Sequence, residues 1–469
     1  MDVDDILVLV LERIDCHVSL IRAATTCRRW RRVIAGAAFL RRYRSLHRPA
    51  VAGHYHNDGR PLTPHRSHFG PWRSVIRGEP QFVLPSSSSS PTTVNAGHFS
   101  LHFLPPFGTA NLNSGDWLWY DATPAWKILD SRGSLLLMVY PHCSFSRFGG
   151  WPDIVVCEPL TRRYKAVPPP PSFGDGCYGG HFWGPYLLDG EDDDDDAAGG
   201  RIGMANFRVL CVLCRDDDGS DAPRAAVFAG GDDDDGEDSA AAWSEKAIDE
   251  DHITSGLHPT VTSLLGRAGG SWYFYVQGGT LVVLDGGAGE FTSSSVTTML
   301  PPATIESWDR LMWTNSFYVT DGRDDYVDGG CRPLIFTVAD DELKVFARSS
   351  GNNGGEWALE KKVLVSKVVH GLTGYDPSLF TQPVSSVVTR GTGFVTLSPH
   401  GPKGRWRFSV DLDEDDSNVM WLPLGDGGLW LFSINLETME AAPAAEHRGA
   451  MLFRCELPWP PVLLACLDG

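Results

Sequence analysis

The residues of this chain able to do chemistry are its ten cysteines, fifteen histidines and three dense carboxylate runs. Glu191–Asp196, Asp232–Asp235 with Glu237 and Asp238, and Asp413–Asp416 gather the carboxylates that a calcium site or an acid–base pair would use. They sit in low-complexity sequence without the Asp-x-Asp-x-Asp-Gly register of a calcium loop, so they read as solvated insertions between strands. The nearest approach to a zinc motif is Cys211-Val-Leu-Cys214, inside the apolar run FRVLCVLC. That run reads as a buried strand, on which residues three apart face opposite sides and cannot share a metal. His54/His56, His65/His68 and His98/His102 lack zincin spacing and are expected at the surface or in local hydrogen bonds. GPKGRW at 401–406 is too short for a phosphate-binding loop and lacks its Lys-Ser/Thr, and no nucleophile elbow occurs. The expectation is a binding protein with no catalytic residues, no metal and no cofactor.

The elements that would position a binding surface follow from composition. The 50 Gly and 32 Pro, set among many short β-rich runs, predict a turn-dense fold, and 16 Trp suit the seams between sheets. Thiols without a framework spacing suit a reducing compartment, so the expected location is cytoplasm or nucleus. No secretory segment is visible, because Glu12, Arg13 and Asp15 break the early apolar run, and no apolar stretch nears the roughly 18 residues of a membrane helix.

The first 48 residues differ from the rest. Ile6, Leu7, Val10, Leu11 and Ile14 recur at helical spacing behind Asp4 and Asp5, and Asp15-Cys16-His17 ends the pattern. Ser19 is placed to cap a second helix carrying Leu20, Ile21 and Ala24. A third, Cys27 to Ala35, turns Trp30, Val33 and Ile34 to one side and its arginines to the other, with Gly36 as its stop. Phe39, Leu40, Tyr43 and Leu46 predict a fourth, ending before Pro49. So short a helical unit cannot bury all this apolar surface by itself.

Residues 1–48 also hold ten Arg against five acids, a net of +5, so the remaining chain carries −24 of the total −19. A body this acidic repels nucleic-acid phosphate. The Arg28–Arg44 cluster reads first as the wet face of helices, with an acidic partner or nuclear import as the functional alternatives.

Order and spacing make this stretch resemble the plant F-box. Asp4-Asp5-Ile6-Leu7, Val10-Leu11, Arg13-Ile14, Leu20-Ile21-Arg22 and Cys27-Arg28-Arg29-Trp30-Arg31 fall in the family's register without a gap. Asp2-Val3 replaces its opening Leu-Pro, and Thr26 replaces the Val before the Cys. The resemblance implies docking to a Skp-family adaptor, and through it a cullin, by Ile6, Leu7, Val10, Leu11, Ile14, Leu20, Ile21, Cys27 and Trp30. It also implies a substrate-recognition subunit of a ubiquitin ligase.

Residues 49–96, rich in Pro, His, Arg and Ser, read as an irregular linker, with Ser86–Ser90 and Pro91 marking its low-complexity core. From 97 to 469 a phrase of strand, polar turn and strand recurs, as in DIVVCEPLTRRYKAVP, TLVVLDGGAGEFTSSSV and GLWLFSINLETMEAAP. Lead-in strands GSLLLMVY, FRVLCVLC, GSWYFYVQ, PLIFTVA and GFVTLSP lie between these phrases, and WLWYDATPAWKILD (117–130) suggests an earlier unit. This pattern predicts a mainly antiparallel β-propeller of five to seven blades, six favoured, with a sandwich or paired smaller β domains as the alternative. VVCEPLTRRYKAVPPPP and ELPWPPVLL resemble the kelch-like, F-box-associated region of the same family. The fold class expected is therefore multidomain α+β, a helical F-box followed by an all-β propeller. The competing function is a binding scaffold whose N-terminal helices only close the domain. Trp183, Tyr186, Trp308 and Trp313 are target-facing candidates, although interblade packing explains each as well; the target itself has no readable code.

Overall fold

In a computed structural model of the chain, the described residues are 3–15, 17–47, 51–57, 79–84, 95–105, 126–140, 153–170, 181–188, 202–214, 224–230, 243–247, 262–276, 279–285, 290–295, 317–322, 333–339, 341–348, 357–380, 385–391, 394–399, 407–409, 420–422, 432–436, 438–443 and 452–458. Four helices open it: α1 (Val3–Leu11), α2 (His17–Thr26), α3 (Arg28–Ile34) and α4 (Ala37–Leu46). Two boundaries differ from expectation. α2 begins at His17, which places Ser19 inside its first turn rather than at its cap. Gly36 does not stop α3 in a left-handed conformation; at φ −68° it is the extended residue that opens α4. Ala35, still helical at φ −74°, caps the end of α3, so Gly36 is left to open the next helix.

Strands follow: β1 (Val51–His56), β2 (Gln81–Val83), β3 (Lys127–Arg132), β4 (Leu135–Tyr140), β5 (Asp153–Glu158), β6 (Arg163–Val167), β7 (His181–Leu188), β8 (Phe207–Cys214), β9 (Arg224–Gly230) and β10 (Trp243–Ala247). Next come β11 (Thr262–Ala268), β12 (Ser271–Val276), β13 (Thr280–Leu284), β14 (Phe291–Ser295), β15 (Phe317–Asp321), β16 (Pro333–Ala339), β17 (Glu342–Arg348) and β18 (Trp357–Leu364). The short helix α5 (Val365–Val368) precedes β19 (Ser385–Gly391), β20 (Phe394–Pro399), β21 (Arg407–Ser409), β22 (Met420–Leu422), β23 (Phe432–Asn435), β24 (Ala441–Pro443) and β25 (Leu452–Glu456). The architecture is thus a set of mostly antiparallel sheets behind N-terminal helices. By internal contacts the chain divides into two compact units, residues 1–260 with 286–290 and 452–469, and residues 261–285 with 291–451.

In the first unit, β3-β4-β5-β6 and β10-β9-β8-β7 are four-stranded antiparallel meanders. Their inner strands read as unbroken apolar runs because both faces are covered: every residue of β4, LLLMVY, is buried. Leu135, Leu137 and Val139 pack in one core with Ile154 and Val156 of β5 and with Phe207, Val209 and Cys211 of β8. In the second unit, β11–β14 and β15–β18 are two such meanders, joined into one eight-stranded sheet by a parallel pairing of β11 with β15 at Gly266 and Val319. β19-β20-β23-β24 is another four-stranded sheet, and β21-β22 is a separate hairpin. Val365 and Val369, around α5, fill a core with Phe336, Val345 and Phe432. The Asp341 carboxylate holds the start of α5, accepting from the Ser366 N–H at 2.9 Å.

The span 49–96 departs from its reading as a linker, because Val51–His56 and Gln81–Val83 are strands of the sheet β2-β1-β25. His54 pairs with Arg454 and Tyr55 with Phe453, partners some 400 residues away that no local pattern announces. The Tyr55 hydroxyl donates to the Phe99 carbonyl at 2.6 Å, and β25 also donates from the Glu456 N–H to the Gly133 carbonyl of the β3–β4 turn. Of the two expectations for His56, surface or local hydrogen bonding, the first does not hold, because it is buried on β1. His65, His68, Ser86–Ser90 and most of 117–130 lie outside the described residues. Gly53 is required on β1: a Cβ there would stand 2.5 Å from the Val83 carbonyl and 2.4 Å from the Phe82 ring. Gly53→Ala should therefore cost about 1–3 kcal/mol, seen in the full chain as faster amide exchange in β1, β2 and β25, with β15–β18 unchanged.

Candidate functional site

The helices at the N-terminus form the candidate site. Their own core is made of Leu11, Leu20, Ala23, Ala24, Ile34, Phe39, Leu40 and Tyr43, with Leu7, Val8, Ile14, Trp30 and Val33 packed partly against it. α4 clamps the chain leaving α1. The Tyr43 hydroxyl donates to the Ile14 carbonyl at 2.5 Å, and His47 Nε2 meets the Glu12 carbonyl at 2.6 Å. The buried Glu12 carboxylate lies 2.7 Å from Arg42 Nε, a pairing of charge without hydrogen-bond alignment. At the other end of the unit, Arg31 Nε donates to the Ala24 carbonyl, satisfying a last-turn acceptor of α2.

α1 is VDDILVLVL, aliphatic on every side. At 100° per residue, Leu7, Val8 and Leu11 share the side that packs inward. Ile6, Leu9 and Val10 lie within about 100° of one another on the opposite side and are 50%, 45% and 53% exposed. Arg13, in the turn that continues α1, follows on the same side at i+7 from Ile6 and is exposed. A helix apolar all round is ordinarily covered all round. The geometry supplies a short aliphatic ridge ending in a guanidinium.

The nine residues expected to grip an adaptor divide accordingly. Ile6 and Val10 face outward. Leu11 and Leu20 are buried in the helical core, Ile21 is also buried, and Leu7, Ile14 and Trp30 are half-buried against that core. Cys27 is exposed but occupied as the cap of α3, its Sγ accepting from the Trp30 N–H at 3.5 Å. Leu9 was missed. The inward register of α1 hides it, and only counting aliphatics around the whole wheel reveals that two faces are apolar.

Three described cysteines elsewhere are buried in the sheets. Burial raises the thiol pKa of Cys157, Cys211 and Cys455, which suits inert core thiols. Among the described residues no group of three or more His, Cys, Asp or Glu is placed to hold a metal. Nor is any helix there long and apolar enough to cross a membrane. Tyr186 is buried in β7; Trp308 and Trp313, like the acidic runs, lie outside the described residues.

No protein-family model matches this chain. No curated protein matches it. Among solved structures, it is similar to a chain of an S. cerevisiae complex of a Dbp5 variant bound to Nup159, a Gle1 variant, IP6 and ADP. Identity is 10%, coverage is 70% of this chain, and the TM-score is 0.25; the chain spans 65% of the length of that one. A likeness at that score carries no argument about fold or function.

Arg42→Ala, which strands the Glu12 carboxylate, should destabilise the α1–α4 clamp by about 1–3 kcal/mol, read as lost amide protection in α1 and α4, and Arg42→Lys should recover part of it. Iodoacetamide applied to the native chain and mapped by mass spectrometry should alkylate Cys27 more than about tenfold faster than Cys157, Cys211 or Cys455, a difference that unfolding abolishes.

Proposed function

We propose that this protein is a substrate-recognition subunit of a Skp–cullin–F-box ubiquitin ligase, non-catalytic in itself. In this reading the helical unit docks on a Skp-family adaptor, the β sheets carry the target, and rate is gained by holding the target beside the conjugating enzyme. The observation that carries the reading is the aliphatic ridge Ile6, Leu9 and Val10, left outside by a helical unit that already has its own core. An unfilled apolar helix face suits helix-in-groove recognition, and the gap-free F-box register of residues 4–31 suggests whose groove it is.

For the sheets we favour a six-bladed propeller. Five four-stranded antiparallel sheets or half-sheets, β3–β6, β7–β10, β11–β14, β15–β18 and β19-β20-β23-β24, support it. The sixth blade would be β2-β1-β25, in which a strand near each end of the sequence pairs with the other. Residence in cytoplasm or nucleus, where cullin ligases work, belongs to the same reading.

Full-length chain co-expressed with a tagged Skp-family adaptor should co-purify with it. Leu9→Glu or Val10→Glu should weaken the complex by about tenfold or more while leaving amide protection in α2–α4 intact. Leu11→Asp is the contrasting control, because it disrupts the helical core itself. Failure of the wild-type chain to recover any adaptor, or equal recovery by both ridge variants, would overturn the proposal.

A further inference from the structure

The ridge on α1 does not stand alone. From Cys16 to Arg48 the chain has nine Arg and no Asp or Glu, so α2, α3 and α4 contain no acid to neutralise them. All five acids of the segment precede this stretch, and Glu12 is already engaged by Arg42. Across residues 1–48 arginines outnumber acids ten to five. The side chains are placed to act outward. On α3, Arg28 and Arg32 lie on the side away from the buried Ile34 and are exposed, whereas Arg31 turns back to the Ala24 carbonyl; Arg22 on α2 is likewise exposed. On α1, Arg13 extends the exposed aliphatic ridge by one turn.

The cations are all Arg, with no Lys among residues 1–48. A guanidinium offers a planar fork that matches a carboxylate or phosphate with two parallel hydrogen bonds, whereas an ammonium is a point charge. Two classes of anion fit that chemistry, a protein surface rich in Asp and Glu or a nucleic-acid backbone. The ridge decides between them. Ile6, Leu9 and Val10 offer aliphatic contact beside Arg13, which an acidic protein groove can bury and a phosphate backbone cannot. The −24 carried by the remaining chain further opposes a long polyanion, which would have to run across it.

We infer that the groove receiving α1 is an acidic protein surface, with Ile6, Leu9 and Val10 filling its apolar floor, Arg13 pairing with a carboxylate at its rim, and the exposed Arg28 and Arg32 adding longer-range attraction to the same acidic surface. This deepens the adaptor reading and rests on it. Rim charges of this kind act mainly on association rate and are screened by salt, while the aliphatic contact is not.

The test uses the full-length chain, a purified Skp-family adaptor, and a fluorescent single-stranded oligonucleotide as the competing polyanion. Adaptor affinity should fall about tenfold or more between ~50 mM and ~300 mM salt. The triple change Arg13→Glu, Arg28→Glu, Arg32→Glu should weaken binding by at least about tenfold at the lower salt and flatten the salt dependence. The matching triple change to Lys should keep the salt dependence with reduced affinity, and amide protection in α1 and α2 should be the same in all three proteins. Salt-independent adaptor binding that charge reversal does not weaken would overturn the acid-rim proposal and leave the adaptor reading standing. Absence of adaptor binding at ~50 mM salt would overturn the adaptor reading, and this proposal with it. Oligonucleotide binding tighter than adaptor binding, and lost on charge reversal, would overturn the assignment to a protein partner.

Discussion

A nine-residue helix that is aliphatic on every side cannot spend all of its side chains against three short neighbours. In α1, Leu11, Leu7 and Val8 pack inward, and Ile6, Leu9 and Val10 are left in solvent. Burying an aliphatic side chain is worth about 1.5–3 kcal/mol, so a covered ridge of three is enough to drive specific association. The helical unit tolerates the exposure because its fold does not depend on that face. Tyr43, His47 and Arg42 of α4 tie down the chain after α1 through the Ile14 carbonyl, the Glu12 carbonyl and the Glu12 carboxylate. The exposed aliphatic face and the folding core are therefore on opposite sides of one helix, and substitutions can address them separately.

The sheets solve a different problem. Each four-stranded meander needs only local antiparallel pairing, which short turns supply. The sheet β2-β1-β25 differs, because its strands come from distant parts of the sequence. β25 pairs with β1 over Val51–His56, and its Glu456 N–H reaches the β3–β4 turn at Gly133. Tyr55 anchors the same sheet through the Phe99 carbonyl and the ring of Phe82. The close approach of Phe82 and the Val83 carbonyl to Gly53 is the steric cost of bringing three strands together there.

Charge is segregated along the chain as well, with cations in the opening helices and acids in the remainder. The separation requires no particular fold. It gives the helical unit a different surface from the rest, one suited to partners of opposite sign, and it disfavours any partner that must lie along the whole molecule.

Periodicity alone locates the four helices and most of the central strands, because α1–α4 carry apolar residues at 3.6-residue spacing, β4 is an unbroken apolar run, and β8, β12 and β16 are predominantly apolar runs between turn residues. The arginine excess is also a sequence fact, since it depends only on residue identity. What the sequence could not decide was anything set by two distant segments meeting. β1 and β2 read as linker, and His56 as a surface or locally bonded histidine, because their partners lie across nearly the whole chain and a strand's hydrogen bonds leave no local trace. Which apolar residues of the helices stay exposed was only partly legible for the same reason. Leu11, Leu20 and Ile21 carry the same apolar character as Ile6 and Val10, and only the packing of α2, α3 and α4 onto one side of α1 determines which of them are consumed by the core and which remain for a partner.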